Sequence, residues 1–170
     1  MIGVPERSEA AAYYFTYIDR ITNPDIQLEL EIQADETLNF LRGISEEKSL
    51  RRYAADKWTI RQVLNHVNDA ERVFAQRALW FAGGFDTPLP SFDQEVASRG
   101  AQADDYPWAS HVEDFRAVRL STLSLFRNLP SEAWPRKGMA SGNPFTVRAL
   151  AFIIAGHVAH HRAIIEARYL

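Results

Sequence analysis

The stretch from Thr146 to Leu170, TVRALAFIIAGHVAHHRAIIEARYL, constrains the fold more than any other part of the chain. Its apolar residues recur with a helical period. At about 100° per residue, Leu150, Ile153, Ile154, Ile164 and Ile165 fall within about 80° of His157. His161 lies about 40° from His157, inside the same stripe, and His160 about 60° to the other side, at its edge. A helix with such a face must be buried against other helices. Two imidazoles at i,i+4 on an inward face can hold one metal ion from a single helix.

The remaining helices follow from caps and breaks. Ser8 opens a short helix expected over Glu9 to Ile21, after a frayed start at residues 1–7, and Asn23-Pro24-Asp25 breaks it. Asp25 suits the N-cap of a second helix that runs to about Leu41, with Ile26, Leu28, Ile32, Leu38 and Leu41 as its apolar positions and Gly43 as its end. Residues 44–58 read as a connector whose Tyr53 and Trp58 cover one end of the core. Thr59 caps a long helix ending at Gly83-Gly84, with Val63, His66, Val67, Ala70, Val73, Phe74, Arg77 and Phe81 on one stripe. Residues 85–109 are irregular, with a turn or two at Gln94–Ser98; a connection this long reads as functional or as a crossover. Ser110, with Glu113 three residues on, is the expected cap of the next helix, which ends near Leu129-Pro130. Turn residues fill 131–145, and Thr146 caps the last helix.

No segment shows the period-two alternation of a strand. The expected fold is all-α: a single domain over residues 1–170, built as a four-helix bundle with a long crossover loop, and an N-terminal extension (residues 1–22) carrying a short extra helix.

Composition removes several function classes. Lysine and arginine number 19 against 22 aspartate and glutamate, a net charge of −3, and no basic block suggests a nucleic-acid surface. There is no cysteine, which excludes disulfides, thiolate metal sites and a thiol nucleophile of the chain's own. No apolar run approaches the roughly 18 residues of a membrane span. The N-terminus, MIGVPERSEA, has no secretory pattern, so the expected location is the cytoplasm.

His66 comes from one long helix and His157 and His161 from another, all on inward faces. Three histidines match an open metal site, with a position left for water or substrate. Neutral imidazoles suit zinc, nickel, iron or cobalt, and ligand type does not choose among them. The rival reading, hydrogen-bonded core histidines, stays open on pattern alone. His111 reads as a solvated helix-end residue, Asp69 and Glu71 as surface or interhelical charges (Asp69 alternatively orienting a ligand), and Arg77 as a side chain reaching to solvent or binding a carboxylate. Glu-x-x-His, His-Glu-x-x-His, Gly-x-Ser-x-Gly and P-loop motifs are absent.

Two segments, KWTIRQVLNHVNDAERVFAQRAL at 57–79 and the helix at 146–170, together with TPLPSFDQ at 87–94, resemble the DinB/YfiT-like superfamily of metalloenzymes. The resemblance runs from about residue 25 to the end. It maps the family's three metal ligands onto His66, His157 and His161, with His160 as a non-ligand neighbour. It implies a bundle with a divalent metal (zinc, nickel or iron) at one end, often a homodimer, acting on a small molecule. Some relatives are thiol S-transferases using bacillithiol, mycothiol or glutathione; one is a maleylpyruvate isomerase and others are called hydrolases. The leading expectation is transfer of a low-molecular-weight thiol to an electrophile through the three-histidine site. The alternatives are a metal-activated hydrolase, or a non-catalytic, stress-linked binding or dimerisation module.

Overall fold

The computed structural model describes residues 2–170; Met1, part of the expected frayed start, lies outside the described residues. The chain forms α1 (Phe15–Ile18), α2 (Ile26–Arg42), α3 (Glu46–Ser49), α4 (Ile60–Ala82), α5 (Gln94–Ala101), α6 (Trp108–Arg127), a hairpin of β1 (Lys137–Ala140) and β2 (Asn143–Thr146), and α7 (Val147–Arg168). The four long helices α2, α4, α6 and α7 make the expected bundle.

Three of the expected caps are in place. Asp25 accepts from the Leu28 amide, and Thr146 Oγ1 accepts from the Ala149 amide at 3.0 Å. Thr59 forms a capping box with Gln62. Ser8 caps nothing, the first helical residue being Ala12, and the cap expected at Ser110 is different. α6 begins at Trp108, not after Ser110, and its first amide is met by Glu46 Oε2 of α3 at 2.9 Å. A carboxylate from a distant segment replaces the local capping box. In α2, Leu28 and Ile32 are exposed, and Leu30 is buried in their place beside Ile26, Leu38 and Leu41.

Each of α4 and α2 packs against both α6 and α7, so the diagonals of the bundle are α2–α4 and α6–α7. His66, early in α4, meets His161, late in α7, whereas Phe81 at the far end of α4 meets Gly138 just before α7; these two helices are antiparallel. By contrast α4 and α6 run parallel, with Asn68 beside His111 and Asp114, and Leu79 sharing a groove with Leu125. That explains the long connection. The chain must return along a 23-residue helix, a span of about 34 Å, before α6 can start. It does so alongside α4 as α5 and a short 3-10 turn, Ala103–Asp105; α5 starts where expected, at Gln94, and runs on past Ser98 to Ala101.

Two other expectations are corrected. Residues 131–145 contain a real hairpin, Ala140 pairing with Asn143 across Ser141 (φ 52°) and Gly142 (φ 72°). Both turn residues have positive φ, the geometry that suits a two-residue hairpin loop. Leu89 of the crossover bonds to Met139 O and accepts from Ser141, so tertiary pairing sustains strands too short to show a period.

The N-terminal segment is also more tightly held, and less helical, than expected. Only a 3-10 turn at Ala12–Tyr14 and the four residues of α1 are helical. Glu9 accepts from Thr146 Oγ1 at 2.7 Å and pairs with Arg148, while Arg148 Nη1 reaches Ile2 O at 3.0 Å. The segment is thereby docked on the start of α7. It continues along that helix because Gly156 has no side chain: a Cβ there would lie 2.2 Å from Tyr17 O.

The core has two parts, one around Phe81, Phe126, Phe145 and Phe152 and one around Leu41, Ile60, Phe115 and Tyr169. Between them a polar network ties all four helices. Arg119 of α6 bonds both carboxylate oxygens of Glu71 of α4 at 2.9 Å and Gln33 Oε1 of α2 at 2.9 Å, and Gln33 Nε2 donates to Ala155 O of α7 at 2.8 Å. Glu71 is thus an interhelical charge, fully buried.

Candidate metal centre

His66 enters the interior from the second turn of α4, and His157 and His161 from successive turns of α7. Their Nε2 atoms converge. His157 Nε2 lies 3.1 Å from His66 Nε2 and 3.1 Å from His161 Nε2. All three ligand atoms fall within 4.8 Å of one another. Nitrogens bound tetrahedrally to one ion at about 2.05 Å sit roughly 3.3 Å apart. Two of the three spacings therefore match a shared cation, and the third is no more than 4.8 Å.

Hydrogen bonding alone does not satisfy this cluster. His157 Nε2 carries either one proton or one lone pair, so it can serve one neighbour and not both. The remaining nitrogens then face each other lone pair to lone pair, or proton to proton, in a buried setting. Protonating the rings is no remedy. Burial holds His66 at about 4 and His161 at about 3, and burial, joined by the neighbouring imidazoles, holds His157 well below the ordinary value. Three neutral rings with converging nitrogens are what a divalent ion requires.

Two cavities reach the cluster. One, of about 140 Å³, has His66 and His157 in its wall with Tyr14, Phe74, Arg77 and Ser141. The other, about 310 Å³, has His161, Trp58, Lys57 and Tyr53. Gln94, the first residue of α5, borders both. The Tyr17 ring stands edge-on to His157 at 5.2 Å and to His160 at 5.4 Å, and Trp58 covers His66 at 5.3 Å. The 85–109 crossover and the N-terminal segment therefore both contribute walls. Sequence reasoning put Phe74 and Arg77 on the stripe of His66 and Tyr53 and Trp58 over one end of the core, and missed Lys57, Gln94 and Ser141; the i,i+4 pair Tyr13 and Tyr17 was the one local sign of a tyrosine face.

The other candidates separate from the cluster. His160 stays at the edge, and its Nε2 is not among the converging nitrogens. His111 is buried rather than solvated, with Nε2 2.9 Å from Ala103 O; its ring fastens the crossover to α6. Asp69 bonds Asn65 and Arg72 and orients no histidine. Arg77 does not reach solvent: it is 4% exposed, inside the smaller cavity.

No curated protein matches the sequence. Among solved structures, the fold is similar to YfiT from Bacillus subtilis, described as a probable metal-dependent hydrolase with an unusual four-helix bundle topology. The TM-score is 0.71 at 18% identity, over 95% of this chain and 89% of that one, a likeness of fold. The family model of the DinB superfamily matches residues 29–165, which contain all three converging histidines and most of the chain. This protein belongs to the DinB superfamily.

Proposed function

We propose that His66, His157 and His161 hold one divalent metal ion and that the chain is a metal-dependent enzyme transferring a low-molecular-weight thiol to a small electrophile. The observation that carries this reading is the convergence of three Nε2 atoms on one point reached from two cavities. A cation held by three neutral imidazoles keeps its full charge and lowers the pKa of an incoming nucleophile. The chain supplies no thiol, so the nucleophile comes from outside. Two approaches suit a reaction of two partners, one entering beside His161 and Trp58, the other beside His66 and Arg77. The thiol gives up its proton to solvent, sulfur forms a bond to the electrophilic carbon, and the leaving group departs with its electron pair and takes up a proton from solvent. Burial holds the Tyr17 phenol protonated, so its part is to shape the wall rather than to act as a base.

A second reading replaces the thiol with water, and the description of YfiT as a probable metal-dependent hydrolase favours it. Elemental analysis of protein purified without an affinity tag tests the shared premise. Wild type is expected to carry about one ion per chain, as is His160→Ala, and His157→Ala none. Retained stoichiometric metal in His157→Ala rejects the ligand set. Turnover of an activated electrophile with and without added thiol then separates the readings: a thiol-dependent rate supports transfer, a thiol-independent one hydrolysis.

A further inference from the structure

Three arginines are buried among the described residues: Arg61, Arg77 and Arg119. Burying a guanidinium without a counter-charge is expensive, and the chain meets that cost twice in the usual way. Arg119 has both oxygens of Glu71, Gln33 Oε1 and Leu30 O. Arg61 has Glu46, Ser49 Oγ and the carbonyls of Asp104 and Tyr106.

Arg77 has no carboxylate. Its Nη2 donates to Pro90 O at 3.3 Å and to Ser141 Oγ at 2.9 Å, and the other polar group beside it is the Tyr14 phenol, which burial keeps neutral. Its guanidinium carbon stands 5.7 Å from the centre of the Phe74 ring and 6.0 Å from that of Phe145. Aromatic faces attract a cation but do not accept its fork of N–H donors. This one unpaired buried cation faces the cavity that also holds His66 and His157.

We propose that Arg77 receives the carboxylate of a small molecule whose other end reacts at the three-histidine cluster. The substrate class is a short carboxylic acid, with Ser141 and Tyr14 as flanking hydroxyls. Phe74 bounds the length. It lies 5.7 Å from the guanidinium carbon and 6.1 Å from the His157 ring, so those two are at most about 12 Å apart, the two distances laid end to end. A molecule that spans the guanidinium and the cluster is therefore a small one. The naming of substrate rests on the proposed metal centre; the anion site is legible without it.

The test uses metal-free full-length protein, propionate as probe and propionamide as its uncharged analogue, followed by NMR at the arginine Nε–H groups. Propionate is expected to give saturable shifts at Arg77, with propionamide at least tenfold weaker. R77Q is expected to lose tenfold or more in propionate affinity while keeping wild-type helicity. Equal binding of the two probes, or R77Q binding propionate as wild type does, overturns the proposal. If R77Q does not fold, R77K keeps the charge without the fork: a several-fold loss of affinity with the preference for propionate intact supports the site, and no preference overturns it. Cobalt(II) titration of the same samples reads the metal centre separately, so either reading can fail alone. In cobalt-loaded protein, 3-mercaptopropionate binding at least tenfold tighter than 2-mercaptoethanol, with the difference lost in R77Q, assigns the carboxylate to the thiol. Equal binding of the two thiols assigns it to the electrophile.

Discussion

Gly156→Ala sets two opposed effects against each other at the residue next to His157. Helix propensity favours the change: an interior glycine replaced by alanine gains about 1 kcal/mol. Packing opposes it. The new Cβ would stand 2.2 Å from Tyr17 O, 2.5 Å from its carbonyl carbon and 3.0 Å from its Cα, all backbone atoms that no rotamer change can move. Ordinary contact begins near 3.4 Å, so α1 must retreat from α7 by more than about 1 Å. Overpacking of this kind costs about 1–3 kcal/mol when the structure yields locally. If α1 undocks instead, burial of Phe15, Tyr17 and Ile18 is lost, at about 1.5–3 kcal/mol per side chain. Packing therefore wins, with a net loss of about 1–2 kcal/mol by the cheaper, local route. For a chain of this length that lowers Tm by roughly 2–8 °C. Because Tyr13, Tyr14 and Tyr17 line the smaller cavity, the same variant should show faster proteolysis between residues 10 and 20 and weakened ligand binding there. Thermal unfolding of metal-free protein is the assay. A Tm equal to or above wild type would mean that propensity alone governs the position, and the close approach of α1 would be refuted.

Other outcomes follow from the same structure. Glu71→Gln strands Arg119, only 1% exposed, and should cost about 3–5 kcal/mol in urea unfolding, whereas Glu71→Leu with Arg119→Met should recover most of it; a double variant as weak as the single one refutes that account. Metal-free stability should depend on pH. Burial depresses His66 to about 4 and His161 to about 3, so the unfolded chain, with histidines near 6.5, takes up protons first as pH falls. Stability is then whole above about pH 6.5 and declines toward pH 3, with His66 alone worth about 3 kcal/mol by pH 4. A flat Tm between pH 7.5 and 4 in chelator-treated protein would contradict the burial of neutral rings.

Much of the bundle was legible because its helices carry their own signals. Asp25, Thr59 and Thr146 cap locally, and the stripes of α4 and α7 repeat often enough to point His66, His157 and His161 inward. What went unread depends on partners far away in the chain. The start of α6 is set by Glu46, the hairpin by Leu89, and the burial of His111 by Ala103. No local pattern encodes those contacts, and four-residue strands are too short for a period to show.

By itself, the sequence determined the apolar faces of α4 and α7, where α2, α4 and α7 begin, and that any metal would be held without thiolates. Only the tertiary structure decided that three imidazole nitrogens meet, that α4 and α6 run parallel and need a long return, and that Arg77 lies buried without an anion. The reason is physical. Capping and periodicity act within one helix, whereas ligand spacing, crossover length and counter-charge depend on which helices become neighbours and in which direction they run.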